Sequence, residues 1–151
     1  MGARAGPLEG SRMAGLSSED YARLLRFRTE LRRFEDWSRR QAQQVGLTPA
    51  QHQLLLAVKG HPDPAGPTIG EVAAYLYVRH HSAVELADRA VDAGLIARAP
   101  DPHDARAVRI TLTELGADRI EQLSQLHLAE LERLAPVLHH LAPESPGAFT
   151  R

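Results

Sequence analysis

From residue 21 onward, apolar side chains recur every three or four positions: Tyr21, Leu24, Phe27, Leu31, Phe34 and Trp37, with charged residues between them. That spacing marks one face of an α-helix. Ser17-Ser18-Glu19-Asp20 supplies its start, with Ser17 at the N-cap and Asp20 at the N3 position. Carried to about Gln44, the helix is about 40 Å long, more than a small lobe can cover. Four of the chain's seven aromatic residues lie on it, so a second chain is the expected cover for the rest of its face.

Gly46 closes this helix. Thr48, Pro49 and Gln51 then fit a capping box with proline at the first helical position, opening a helix that carries Leu54, Leu55, Leu56 and Val58 and stops at Gly60. Residues 61–67 hold three prolines and one glycine and must form a loop. Thr68-Ile69-Gly70-Glu71 is a second capping box, for a short helix reaching Tyr75 or Leu76. A further helix is predicted over 79–93, ended by Gly94. Strands follow at 95–99 and 107–112, joined by a hairpin over 100–106. Thr113 caps a last long helix bearing Leu115, Ile120, Leu123, Leu126, Leu131 and Leu134. Pro136 is expected to kink or restart that helix, with Val137, Leu138 and Leu141 extending its apolar face.

The fold class is therefore mainly α with a small β-wing (α+β). Residues 1–16 read as a tail and 143–151 as another. The segments 17–45 and 113–142 read as dimerisation helices around a winged helix-turn-helix lobe over 46–112. A length of 151 residues suits one domain with a sizeable core. No apolar run nears the roughly 20 residues that span a bilayer, and the N-terminus has no apolar signal region, so a cytoplasmic location is expected. The absence of cysteine excludes disulfides, thiolate metal sites and thiol redox sensing.

A net charge of −1 lacks the basic balance that usually marks a nucleic-acid-binding chain. Between residues 79 and 112 five arginines (79, 89, 98, 106, 109) face five acids (Glu85, Asp88, Asp92, Asp101, Asp104). Affinity for a polyanion must then come from where the arginines point, and non-specific binding should be modest. In a helix-turn-helix the second helix enters the major groove, with its N-terminal residues at the base edges. On the 79–93 helix, Ala83, Leu86, Ala87, Ala90 and Val91 cluster on the side that would pack. His81, Ser82, Glu85, Asp88 and Arg89 lie opposite, and Arg79 and His80 sit at the tip. Glu85 facing DNA could accept a hydrogen bond from cytosine N4.

The run Gly94-Leu95-Ile96-Ala97-Arg98, then Asp101-Pro102-His103-Asp104-Ala105-Arg106, then Leu112-Thr113-Glu114-Leu115-Gly116 resembles the MarR family of bacterial transcriptional regulators over about residues 18–142. The resemblance implies a homodimer on double-stranded DNA, usually a repressor and often released by small aromatic or phenolic anions. It implies a wing in which Arg106 enters the minor groove and Asp104 holds that guanidinium by a charge-assisted hydrogen bond. Asp88 and Arg89 match an Asp-Arg pair common in the family, where Asp88 orients neighbouring side chains. Position 105, often arginine in the family, is alanine here. Arg98 and Arg109, on the wing strands, could contact phosphate or pair with Asp101. Two recognition helices in a dimer would sit about 34 Å apart, on a pseudo-palindromic operator.

Arg26, Arg33, Trp37 and His52 are candidate lining for an effector pocket between the long helices and the lobe. The eight histidines show no His-x-x-His or His-x-x-x-His spacing, so no metal or other cofactor is expected. His52 and His127 read as packing or hydrogen-bonding residues. A phosphate loop, nucleophile elbow and His-Glu-x-x-His motif are all missing, which argues against an enzyme. The competing reading is a winged-helix protein-interaction module without DNA binding.

Overall fold

The computed structural model describes residues 15–141. Ser17 Oγ accepts from the Asp20 N–H at 3.2 Å and Asp20 Oδ2 accepts from the Ser17 N–H at 2.8 Å, closing the box that starts α1 (Ser18–Gln44). The same reciprocal bonds join Thr48 to Gln51 at the start of α2 (Pro49–Lys59), and Thr68 to Glu71 at the start of α3 (Ile69–Leu76). These caps satisfy the donors that a first helical turn leaves unpaired. Between α3 and α4 (His80–Asp92) the chain turns at Tyr77, the one non-glycine residue with positive φ (54°) among those described. Arg79 stands at the N-cap of α4 without a side-chain cap bond.

Strands β1 (Ile96–Pro100) and β2 (Val108–Leu112) pair antiparallel, from Ile96 opposite Leu112 to Pro100 opposite Val108. Both begin one residue later than the sequence pattern predicts. The Leu95 N–H is still engaged by Ala90 O at 2.9 Å, in the turn out of α4, and the Ala107 N–H by Asp104 O at 3.0 Å, within the hairpin. The outer edge of β2 is partly covered: the Ile110 N–H donates to Pro67 O at 2.9 Å, and Thr68 bridges to Arg109. Gly66, at φ +84, makes this approach possible, since a Cβ there would lie 1.9 Å from the Ile110 carbonyl oxygen.

Thr113 Oγ1 accepts from the Gly116 N–H at 3.1 Å and donates to Gly94 O at 2.6 Å, so one hydroxyl starts α5 (Glu114–Leu141) and ties it to the end of α4. Helix α5 runs on through Pro136 instead of restarting there. Proline removes only its own N–H from the ladder, and a single lost donor so close to the helix end leaves the rest of the ladder in place.

The core is built from Leu54 and Leu55 of α2, Val72 of α3, Ala83, Leu86, Ala87 and Ala90 of α4, Ile110 of β2, and Ile120 and Leu123 of α5. Helix α1 adds only Ala42 to it. Its apolar stripe divides: Tyr21 (60 % exposed), Leu24 (56 %) and Phe27 are open, whereas Phe34 and Trp37 are partly covered against His127 of α5. On α5, Leu128 (63 %) and Leu131 are likewise open. Arg23 Nη2 donates to Leu141 O at 3.0 Å, holding the far ends of α1 and α5 together. No described helix is long and apolar enough to cross a membrane.

Candidate nucleic-acid interface

Helix α4 divides by face much as its sequence does. Ala83, Leu86, Ala87 and Ala90 are buried; Arg79, His80, His81, Glu85, Asp88 and Arg89 are exposed and Ser82 is half-buried. Val91 departs from the expected packing set and is 36 % exposed. It sits near the end of α4, where the flanking Asp92, Ala93 and Gly94 are also open.

The five arginines of this region fall into two groups. Arg98 on β1 donates to Asp88 of α4 at 2.5 Å, which ties the wing to the helix. Its partner is thus Asp88 and not Asp101. Arg109 on β2 pairs with Asp101 through Nε, and its Nη1 reaches Gly66 O at 3.0 Å and Glu71 Oε2 at 3.4 Å. Arg109 holds the Asp101 carboxyl below the ordinary aspartate range, helped by the His103 N–H, and Asp101 in turn raises the Arg109 guanidinium. By contrast the guanidiniums of Arg79, Arg89 and Arg106 make no hydrogen bond or ion pair among the described residues, and all three residues are exposed.

Asp104 has a different job from the one the resemblance implied. Its Oδ1 accepts from the backbone N–H of Arg106 at 3.0 Å and does not hold the guanidinium. An aspartate two residues before an N–H forms a local Asx turn, a shorter reach than the one to the end of an arginine side chain. Asp104 therefore shapes the wing tip and leaves the Arg106 side chain free.

The four candidate effector residues are not brought together. Arg26 lies with Glu30, Val137 and His140 toward the far end of α1, and Arg33 is an exposed partner of Glu30 at 3.0 Å. Arg26 and Trp37 are eleven positions apart on one straight helix, about 16 Å, which no small pocket bridges. Trp37 and His52 do converge, each against His127, with ring centroids 4.8 and 4.7 Å away. Beside them Phe34, Ser38, Pro49, His52 and Gln53 line a cavity of about 190 Å³ between α1 and α2. Among the described residues no group of three or more His, Asp or Glu side chains is placed to hold a metal ion.

Sequence reasoning missed Asp63, Glu71 and His61 around Arg109: Asp63 Oδ2 lies 3.9 Å from Nη2, and His61 Nε2 lies 3.4 Å from Glu71 Oε2. The capping box located Glu71 on α3, but nothing in the linear pattern showed that one carboxylate would also face a wing arginine 38 residues away.

A helix-turn-helix followed by a two-stranded hairpin, with the hairpin strapped to both of its helices, is a winged helix. Residues 45–107 match the model of the MarR family. A MarR family protein from Bacillus stearothermophilus is 26 % identical over 80 % of this chain and 82 % of that one, with a TM-score of 0.66. A MarR family transcription regulator of known crystal structure is 24 % identical over 78 % and 76 % of the two chains, TM-score 0.67. A mutant of S. aureus MepR bound to an oligodeoxyribonucleotide is 20 % identical over 80 % and 84 %, TM-score 0.61. No curated protein sequence matches the chain. The lobe over 45–107 is thus similar to the MarR family of transcription regulators, and the described chain shares the winged-helix fold of that family's solved structures.

Proposed function

We propose that this chain is a homodimeric, sequence-specific DNA-binding transcriptional regulator, and that it acts as a ligand-responsive repressor on a pseudo-palindromic operator. The observation that carries the reading is the division among its arginines. Arg98 and Arg109 are consumed in holding the wing, while Arg79, Arg89 and Arg106 stand exposed and unpaired on α4 and the wing tip. Helix α4 would lie in the major groove, with His80, His81, Ser82 and Glu85 toward base edges and Arg79 and Arg89 toward phosphates. Arg106 would enter the adjacent minor groove. The oligodeoxyribonucleotide complex of the similarly folded MepR mutant supports DNA as the partner.

Dimerisation is supported by the open apolar residues of α1 and α5, since large patches of this kind mark association surfaces. The second copy would place two α4 helices about one DNA turn apart. The cavity beside His52 is of a size for one aromatic ring, given that a cavity of about 150 Å³ admits benzene. A small aromatic or phenolic anion is the effector class proposed; Arg39 at the rim is already paired with Asp36, so the aromatic ring and the polar Ser38, His52 and Gln53 carry the fit.

The test is binding of the purified protein to the intergenic DNA upstream of its own coding sequence, beside a scrambled duplex, across a salt series and with Arg106→Ala as control. Preferential binding that weakens with salt and falls about tenfold or more in the variant, leaving a measurable residue, is expected. Equal binding to both duplexes, followed by an empty genome-wide selection of bound fragments, would overturn the proposal. The near-neutral charge balance favours the interaction-module reading in that event.

A further inference from the structure

Arg109 is only 18 % exposed by its side chain and is held by partners on three sides, and a chain of contacts leads from it to the wing tip. Its Nε meets Asp101 Oδ2. The other oxygen, Asp101 Oδ1, accepts from the backbone N–H groups of His103 at 2.7 Å and Asp104 at 2.9 Å, which folds the tip back on itself. Asp104 Oδ1 then accepts from the N–H of Arg106 at 3.0 Å. At its other end the guanidinium is anchored to two elements of the lobe, by Gly66 O of the loop before α3 and by Glu71 of the α3 capping box. Glu71 Oε2 also accepts from the Thr68 N–H at 2.8 Å, so the same carboxylate that starts α3 receives the wing arginine.

We infer that Arg109 is the positioning residue of the wing: it fixes the tip through Asp101 and so sets where Arg106 points, without touching DNA itself. A planar guanidinium suits this role, because its donors diverge in fixed directions and can hold a carboxylate, a carbonyl and a second carboxylate at once. Lysine at this place would present one point charge to the same three acceptors. The tip contains Pro102 and no apolar anchor of its own, with residues 102–106 all exposed, so it is organised by the Asp101 carboxylate together with the Asp104 turn and the backbone bonds between Asp101, Asp104 and Ala107. The consequence for DNA binding rests on the reading of Arg106 given above; the consequence for tip order does not.

Two measurements on the full-length chain separate these. Hydrogen exchange at the amides of His103, Asp104 and Arg106 is expected to accelerate about tenfold or more in Arg109→Met, with Ile110 and the core helices unchanged. Asp101→Asn, which keeps the shape and loses the charge pair, should act in the same direction if the methionine variant folds poorly. In DNA binding, Arg109→Met should weaken affinity about fivefold or more in the wild-type background and less than about twofold when Arg106 is already alanine. Arg109→Lys should recover part of the loss. Unchanged tip amides, uniform acceleration across the core, or an undiminished loss in the Arg106→Ala background would each overturn the assignment. Wild-type DNA binding by Arg106→Ala alone would instead remove the minor-groove reading, and the amide exchange would still decide whether Arg109 orders the tip.

Discussion

The imidazoles of His52 and His127 lie against each other with centroids 4.7 Å apart, where α1, α2 and α5 meet. His127 Nδ1 is 2.7 Å from Leu123 O and its Nε2 is 2.7 Å from Ser38 Oγ. A carbonyl can only accept, so a neutral His127 carries its proton on Nδ1 and takes the serine hydroxyl as donor at Nε2. His52 is 4 % exposed, and burial, with the His127 charge as the second cause, pushes its pKa down to about 4 from 6.5.

This pair makes stability depend on pH. Between 6.5 and about 4 the unfolded chain binds a proton at His52 that the folded chain refuses. The contribution is therefore complete above pH 6.5 and is lost as pH falls toward 4, by about 3 kcal/mol for a shift of this size. Urea unfolding at pH 7.5 and at pH 5 should show the fall, and His52→Phe should flatten it. A slope unaltered by the substitution would assign the pH dependence to other groups.

Ala105 stands exposed between Asp104 and Arg106 at the wing tip. Replacing it with arginine adds one cation per wing without disturbing the Asp101 and Asp104 bonds, which use backbone donors. The variant should bind duplex DNA more tightly and steepen the dependence of log affinity on log salt by about 2 per dimer. Binding isotherms at four or five salt concentrations measure this directly.

Gly116 cannot be enlarged. A Cβ there would sit 2.0 Å from the Leu95 carbonyl oxygen, and that contact is backbone with nowhere to turn. Gly116→Ala should therefore force α5 away from the end of α4 and cost about 1–3 kcal/mol. Thermal unfolding should show a lower midpoint.

Leu24 is 56 % exposed on the open half of α1. Leu24→Glu costs the single chain little, because the site is solvated, but it places a charge in the face proposed to meet a second copy. Sedimentation should report a dimer for the wild type and a shift to monomer for the variant, with DNA affinity falling alongside. A variant that remains dimeric would move the interface elsewhere.

Every predicted side-chain cap is in place, because a cap depends on residues three apart and the chemistry is local: Ser17 with Asp20, Thr48 with Gln51, Thr68 with Glu71. The buried face of α4 was legible for a related reason, since four of its five packing positions follow the helical period. The motif places Asp104 beside Arg106 but not on the backbone N–H that it actually meets, because a motif specifies which residues are neighbours and not which atoms meet. The anchoring of Arg109 was out of reach, as Gly66 and Glu71 lie 43 and 38 positions away and come near only once the loop lies along β2. Grouping Arg26 with Trp37 in one pocket erred against helix geometry that the sequence already contained.

Among the described residues two hydrogen bonds join α1 to α5: Ser38 to His127 near the lobe, and Arg23 to Leu141 at the open end. They are 15 residues apart on α1 and 14 on α5, about 22 Å of helix on each side, so the pair forms a two-railed beam with a rung at each end. Such a beam would act as a lever. A tilt of about five degrees at the inner rung displaces the outer one by about 2 Å over that length. Small rearrangements around His127 and Trp37 would thereby be magnified where the apolar residues of α1 lie open, and a shift imposed at that outer end would be geared down before it reached the lobe.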